Sequence, residues 1–147
     1  MADDVTGIGA IDDVAIPVII AGAVVRDLTQ IKYITYTLTN ASGKVYVGRS
    51  SGYGDPYSIM MNRFSGHHMR MLGYGNPQLD RVAQGWPLGL DAIRGREQQM
   101  IDFNGGIGSP NVGNSIRGVG YYRPDGRYFY GMSNALFGPL AKYTGFF

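Results

Sequence analysis

The chain contains no cysteine. Disulfides and cysteine-ligated zinc are therefore excluded, and either redox compartment is compatible with the composition. Histidine is scarce, with only 2 in the chain. Phosphate-loop and nucleophile-elbow motifs are missing. "GGIGSPNVG", residues 105–113, has neither the spacing nor the preceding strand of a dinucleotide-binding loop. No internal repeat recurs at a fixed period. The longest apolar run, "VAIPVIIAGAVV" at 14–25, is shorter than the ~20 residues that span a bilayer. It follows "ADD" and "IDD" rather than basic residues, which argues against a secretory signal. Residues 1–30 are read as an apolar lead segment or packing helix: the 14–25 run is a core-packing helix with Pro17 in its first turn, or else a remnant of a larger polypeptide or a membrane-active lead segment.

What is present suits one folded unit. The 147 residues are 44% hydrophobic and 16% charged, enough apolar material for a core. Glycine is abundant at 23 residues, mostly after residue 42, so loops should be extensive. Net charge is +2, but it is uneven. The first 13 residues carry four Asp and no Lys or Arg, whereas Arg26 to Arg70 hold six basic residues and only Asp27 and Asp55. A local positive field is expected around the middle of that span, one that permits an anionic partner.

Alternation over 31–39, "IKYITYTLT", and over 44–49, "KVYVGR", predicts two strands joined at Asn40–Gly43. "SSGYGDP" reads as loop. Ile59, Met60, Arg63, Phe64, His67 and Met71 recur at helical spacing within 56–72, with Gly66 a weak point. A short helix is expected from Pro77. Residues 89–106 form the better helix, capped by Asp91 and ended by Gly105–Gly106, with Gly95 a mild cost inside it. Residues 105–127 read as loop, and the aromatic C-terminal stretch includes a short helix. The expected fold class is α+β, a small antiparallel sheet flanked by helices.

Five polar residues follow or end the hairpin: Arg49, Arg63, His67, His68 and Glu97. Arg63 and His67 are four apart, so on a helix they share a face and together suit a phosphate. A lone carboxylate at Glu97, facing Tyr36 and Tyr46, could hold a hard divalent cation through one protein ligand, water and substrate oxygens. Taken singly each is ordinary: a helix glutamate is usually solvated surface, and strand tyrosines are common. The combination carries the interest.

In order along the chain, Ile34-Thr35-Tyr36, "LTN", "GK", Tyr46-Val47-Gly48, Arg63, His67 and Glu97 resemble the GIY-YIG nuclease family. The first motif lacks its Gly-Ile, and a long "SSGYGDPYSIMM" segment separates Gly48 from Arg63. "RGREQQMIDFNGG…NSIRG" resembles, more narrowly, the nuclease domains at the C-terminal ends of bacterial polymorphic toxins of the Rhs type, delivered by secretion systems such as type VI. The resemblance covers roughly residues 31–118 and assigns 31–147 to the nuclease domain. It implies a metal-dependent endonuclease, DNA favoured, with Mg²⁺ or another divalent cation on Glu97. Arg63 would stabilise charge on the phosphate. Tyr36, helped by His67, would accept the proton of water, and Tyr46 would orient water or phosphate. Arg49 and His68 would contact substrate, as would Asn114, which resembles a polar residue supporting the site. The hairpin would set both phenols and the nearby positive charge on one floor opposite Glu97. The resemblance further implies a larger secreted polypeptide, delivery into the cytoplasm of a target bacterial cell, a cognate immunity protein and no stable membrane anchor.

Two other readings stay open. "SGHHMR" resembles the Gly-His-His motif of ββα-metal (HNH-type) nuclease toxins, in which His67 or His68 would activate water, although two histidines leave such a finger short of ligands. A loop-rich, tyrosine-rich binding module of a larger assembly is the non-catalytic alternative.

Overall fold

A computed structural model describes residues 27–145. The 14–25 apolar run, with its expected helix, lies outside them. The order is β1 (Lys32–Thr39), β2 (Val45–Gly52), α1 (Pro56–Ser65), a 3-10 turn (His68–Leu72), β3 (Gly75–Gln84), α2 (Leu88–Phe103) and α3 (Gly126–Phe137). The fold is α+β, with one three-stranded antiparallel sheet in the order β2-β1-β3. Among the described residues no helix is long and apolar enough to cross a membrane.

The hairpin forms as its composition predicts. Asn40 Oδ1 accepts from the backbone N–H of Ser42 at 3.1 Å and of Lys44 at 2.9 Å, and Gly43 takes the left-handed φ of 84° that ends the turn. β2 extends to Gly52, through part of the expected loop. At α1, the Asp55 side chain accepts from Ser58 N at 2.9 Å and Pro56 occupies the first turn. The helix then stops at Ser65 with Gly66 as its cap, so the expected run to residue 72 breaks in two.

The helix expected from Pro77 is instead β3, paired to the second edge of β1. Its register shifts so that Arg81 faces Thr35 and Leu79 faces Tyr36, leaving Asp80 as an extra residue. That bulge aims Asp80 at α2. Its Oδ2 accepts from Thr35 Oγ1 and Arg96 Nε, both at 2.8 Å, and its Oδ1 accepts from Arg96 Nη2 at 2.9 Å. Burial pushes the Asp80 carboxyl upward, but the Arg96 and Thr35 hydrogen bonds and the charges of Arg96 and Arg81 more than offset it, leaving the group below its usual range.

Strand alternation divides the core. Ile34, Tyr36 and Leu38 face α1 and the 3-10 turn, packing with Ile59, Met60, Met69 and Tyr74. Tyr33 and Val47 face the other way: Tyr33 meets Ala83 and Ile93, and Val47 meets Ile101 and Val112. α2 starts at Leu88 after Pro87, and Asp91, expected as its cap, lies in its first turn and accepts from Tyr128 Oη at 2.8 Å. Gly95, a cost to an isolated helix, is where α3 crosses: a Cβ there would overlap the Phe129 carbonyl.

Candidate active site

β2 is an edge strand, and the continuous β1–β2 register places Tyr36 opposite Gly48, Leu38 opposite Tyr46 and Thr35 opposite Arg49. Cross-strand partners share a face, so Tyr36 and Tyr46 belong to the α1 face and Arg49 to the α2 face. The single floor expected for both phenols and Arg49 is therefore divided. Tyr46 and Arg49 are an odd number of residues apart, and the pleat turns them to opposite sides.

The α1 face gathers aromatic and imidazole groups. Tyr36 is 1% exposed, and its ring crosses the strand boundary to lie over Gly48, where a Cβ would overlap it. Its Oη lies 2.9 Å from His67 Nε2. His67 is not on the helix with Arg63, as the spacing predicts, but begins the 3-10 turn, where its Nδ1 accepts from Met69 N at 3.1 Å. An accepting Nδ1 fixes the neutral tautomer with the proton on Nε2, so His67 donates to the phenol oxygen. Burial, then the charges of Arg63 and His68, lower the His67 pKa from 6.5 to about 3. His67 is thus a neutral hydrogen-bond donor with both nitrogens engaged, neither a cation nor a proton acceptor.

Tyr46 is half-buried and meets His67 edge-on at 5.1 Å between centroids and His68 at 6.1 Å. His68 is exposed and stacks on His67 at 4.8 Å. Burial and Arg63 also lower its pKa. Arg63, half-buried on α1, makes no hydrogen bond or ion pair among the described residues.

The α2 face is ionic. Glu97 lies on the sheet-facing stripe of α2, one turn from Ile93 and one turn from Ile101, both fully buried. Its side chain is 13% exposed, and Oε1 accepts from Arg49 Nε at 3.0 Å. Burial raises the Glu97 pKa, and the charges of Arg49 and Arg94 offset only part of that rise. Loop 114–119 closes one side. Val119 N donates to Gln98 Oε1 at 3.1 Å, and Gly118 lies so near that a Cβ would stand 2.5 Å from Glu97 Oε1. Asn114, expected to contact substrate, instead completes the strand edge: Val47 N donates to its Oδ1 at 2.9 Å and its Nδ2 donates to Val47 O at 2.8 Å. Its amide is committed to backbone, which makes it a support for β2.

Arg94 was not evident among the candidates. It sits three residues before Glu97 on α2, a spacing that puts both on one helix face and that the sequence contained. Among the described residues, no group of three or more His, Cys, Asp or Glu could hold a metal. The donor set that remains is one carboxylate, which fits only a hard cation that keeps most of its ligands as water or phosphate oxygens.

We find no matching family model, no matching curated protein and no matching solved structure.

Proposed function

We propose that the protein is a metal-dependent phosphodiesterase acting on nucleic acid, DNA favoured, with its site across the outer edge of β2 at Gly48. The observation that carries this reading is the carboxylate of Glu97. A glutamate between two buried isoleucines, with its pKa raised by burial, costs stability that an apolar residue would not. Such a group, beside a sheet edge and bonded to an arginine, is better explained by chemistry than by folding. The phenol group supports the same reading. The Tyr36 ring lies over Gly48, the residue before Arg49, and Tyr46 is three residues before Arg49 on the same strand.

In this arrangement Glu97 would hold the divalent cation, which when bound would neutralise charge on a phosphate oxygen. Displaced from Glu97, Arg49 would turn to the phosphate. Arg63, with no carboxylate to satisfy it, would approach from the α1 side and stabilise charge as it develops. Tyr46 is the phenol with solvent access and is assigned the proton of the attacking water. Tyr36 is enclosed and holds its hydrogen bond from His67, so it serves as the packed support under Gly48. A Gly-His-His finger fits less well, because His67 has no ring nitrogen left for a metal or a water.

The wider setting is supported by the sequence resemblance: the toxin domain of a secreted antibacterial effector, delivered into a target cell and restrained in its producer by an immunity protein. The test is plasmid cleavage with Mg²⁺ and with chelator, using wild type and Glu97→Gln. The variant should lose about 100-fold or more in rate while melting no lower than wild type. A folded Glu97→Gln protein with full activity, or a wild type with no divalent-dependent cleavage, overturns the proposal.

A further inference from the structure

Among the described residues, Arg94 is the arginine of the α2 face whose guanidinium has no carboxylate of its own. Arg49 is spent on Glu97, Arg96 on Asp80 and Arg123 on Asp125, the last through two hydrogen bonds of 2.9 and 2.7 Å. Arg94 makes no hydrogen bond or ion pair among the described residues. Its Nε is fully buried without an acceptor. An occluded guanidinium donor left unmade costs the desolvation of that group, so its retention calls for a reason.

The surroundings hold the guanidinium in place rather than satisfy it. It stacks 4.4 Å from the centroid of Phe129, and Arg123 covers the same ring at 5.4 Å. Burial and then the like charges of Arg49 and Arg123 push the Arg94 pKa down, while Asp125 and Glu97 pull it up. Three guanidinium groups therefore converge where only two carboxylates balance them, and both carboxylates are already bonded. Stacking on an aromatic face orients the planar fork; the Nε side is occluded, so a ligand would meet the terminal Nη atoms. Arginine forks match phosphate oxygens in pairs.

We propose that Arg94, flanked by Arg49 and Arg123, is a clamp for a DNA backbone phosphate beside the one handled at Glu97. This rests on the nuclease reading for its substrate but not for its geometry. The clamp explains why an arginine rather than a neutral residue sits on Phe129. It also gives the α2 face a phosphate contact that makes no use of the divalent cation.

Binding can therefore be measured with the reaction silenced. A labelled duplex DNA of about two helical turns is titrated with protein in chelator over a salt series, with fluorescence anisotropy as the readout. Each phosphate contact contributes about 0.9 to the slope of log K against log salt on duplex DNA. Arg94→Gln should reduce that slope by about 0.9 and weaken binding about tenfold. Arg94→Lys keeps the charge and the stem over Phe129 but loses the fork, so the slope should hold while affinity falls. Thermal melting monitors both proteins. Should Arg94→Gln fail to fold, undiminished affinity in Arg94→Lys overturns the clamp. An unchanged slope in folded Arg94→Gln overturns it, as does a wild type that does not bind DNA. In a parallel Mg²⁺ assay, cleavage with an unchanged Arg94→Gln slope removes the clamp alone. The expected slope change without any cleavage upholds the clamp and removes the nuclease reading.

Discussion

The two faces of the sheet handle polarity in opposite ways. On the α1 face the buried polar atoms are neutral and locked: Tyr36 and His67 bond each other, His67 also serves the Met69 backbone, and the cation of that side, Arg63, is only half-buried. On the α2 face the polar atoms are charged and only partly matched: Asp80 with Arg96, Glu97 with Arg49, and Arg94 with no ion pair among the described residues. One strand, β2, carries Tyr46 to the first face and Arg49 to the second. A neutral, fully bonded network favours a single arrangement. An ionic network with a surplus cation is poised for an anion, at a cost to the fold. The buried Tyr36–His67 pair fixes position on the α1 face, and the α2 face carries most of the buried charge.

The largest expected effect breaks the α2 face at its structural end. Arg96→Met removes the partner of an Asp80 carboxylate whose side chain is 12% exposed. Severing one half of a buried pair costs about 3–5 kcal/mol, read by denaturant unfolding at neutral pH. Replacing both partners together, as Asp80→Leu with Arg96→Met, should restore most of that loss. If the single and double variants are equally unstable, the pair is not what holds β3 to α2.

The elements that carry this division were legible in the sequence, although the expected arrangement was a single floor. The hairpin, the α2 helix and the α+β class follow from period and turn chemistry, and strand parity alone separates Tyr46 from Arg49. β3 was not legible. "GNPQLDRVAQ" has weak strand propensity and a proline near its start, and it becomes a strand because β1 has a second edge to fill and Asp80 bulges toward Arg96. The break at Gly66 was visible only as a weak point, yet it decides that His67 caps a 3-10 turn instead of riding a helix beside Arg63. Asn114 reads as a polar loop residue. Its role as a substitute strand partner for Val47 depends on a fold that brings residues 67 positions apart together.

A second, smaller effect separates the faces by pH. The folded pKa of His67, about 3, lies below its ordinary 6.5, because burial and Arg63 disfavour the imidazolium. The unfolded chain therefore binds this proton first as pH falls. The stabilisation is complete above pH 6.5 and declines toward pH 3, with a slope of about 1.4 kcal/mol per pH unit at most. Between pH 7 and pH 5 the loss is about 2 kcal/mol, above the range in which a lowered carboxyl such as Asp80 gives up its own contribution. His67→Gln should flatten that portion of the stability curve. A curve equally steep in the variant would mean that the imidazole is not held neutral and that the α1 face is not the locked one.

The smallest effect tests the lock itself. Tyr36→Phe keeps the ring over Gly48 and removes only the oxygen that accepts from His67 Nε2. The donor is then stranded beside the packed core, since its own ring is 3% exposed and Nδ1 remains committed to Met69 N. An unmet buried donor costs about 1–2 kcal/mol in a site that cannot relax to admit water. Nitrogen NMR of the imidazole supplies the sharper readout. The proton should reside on Nε2 in wild type, and in Tyr36→Phe the Nε2–H should lose the shift and exchange protection of a bonded group while Nδ1 is unchanged. A proton found on Nδ1 in wild type would reverse the donor and acceptor, leaving Tyr36 to give its hydrogen to the histidine and the Met69 N–H without its acceptor.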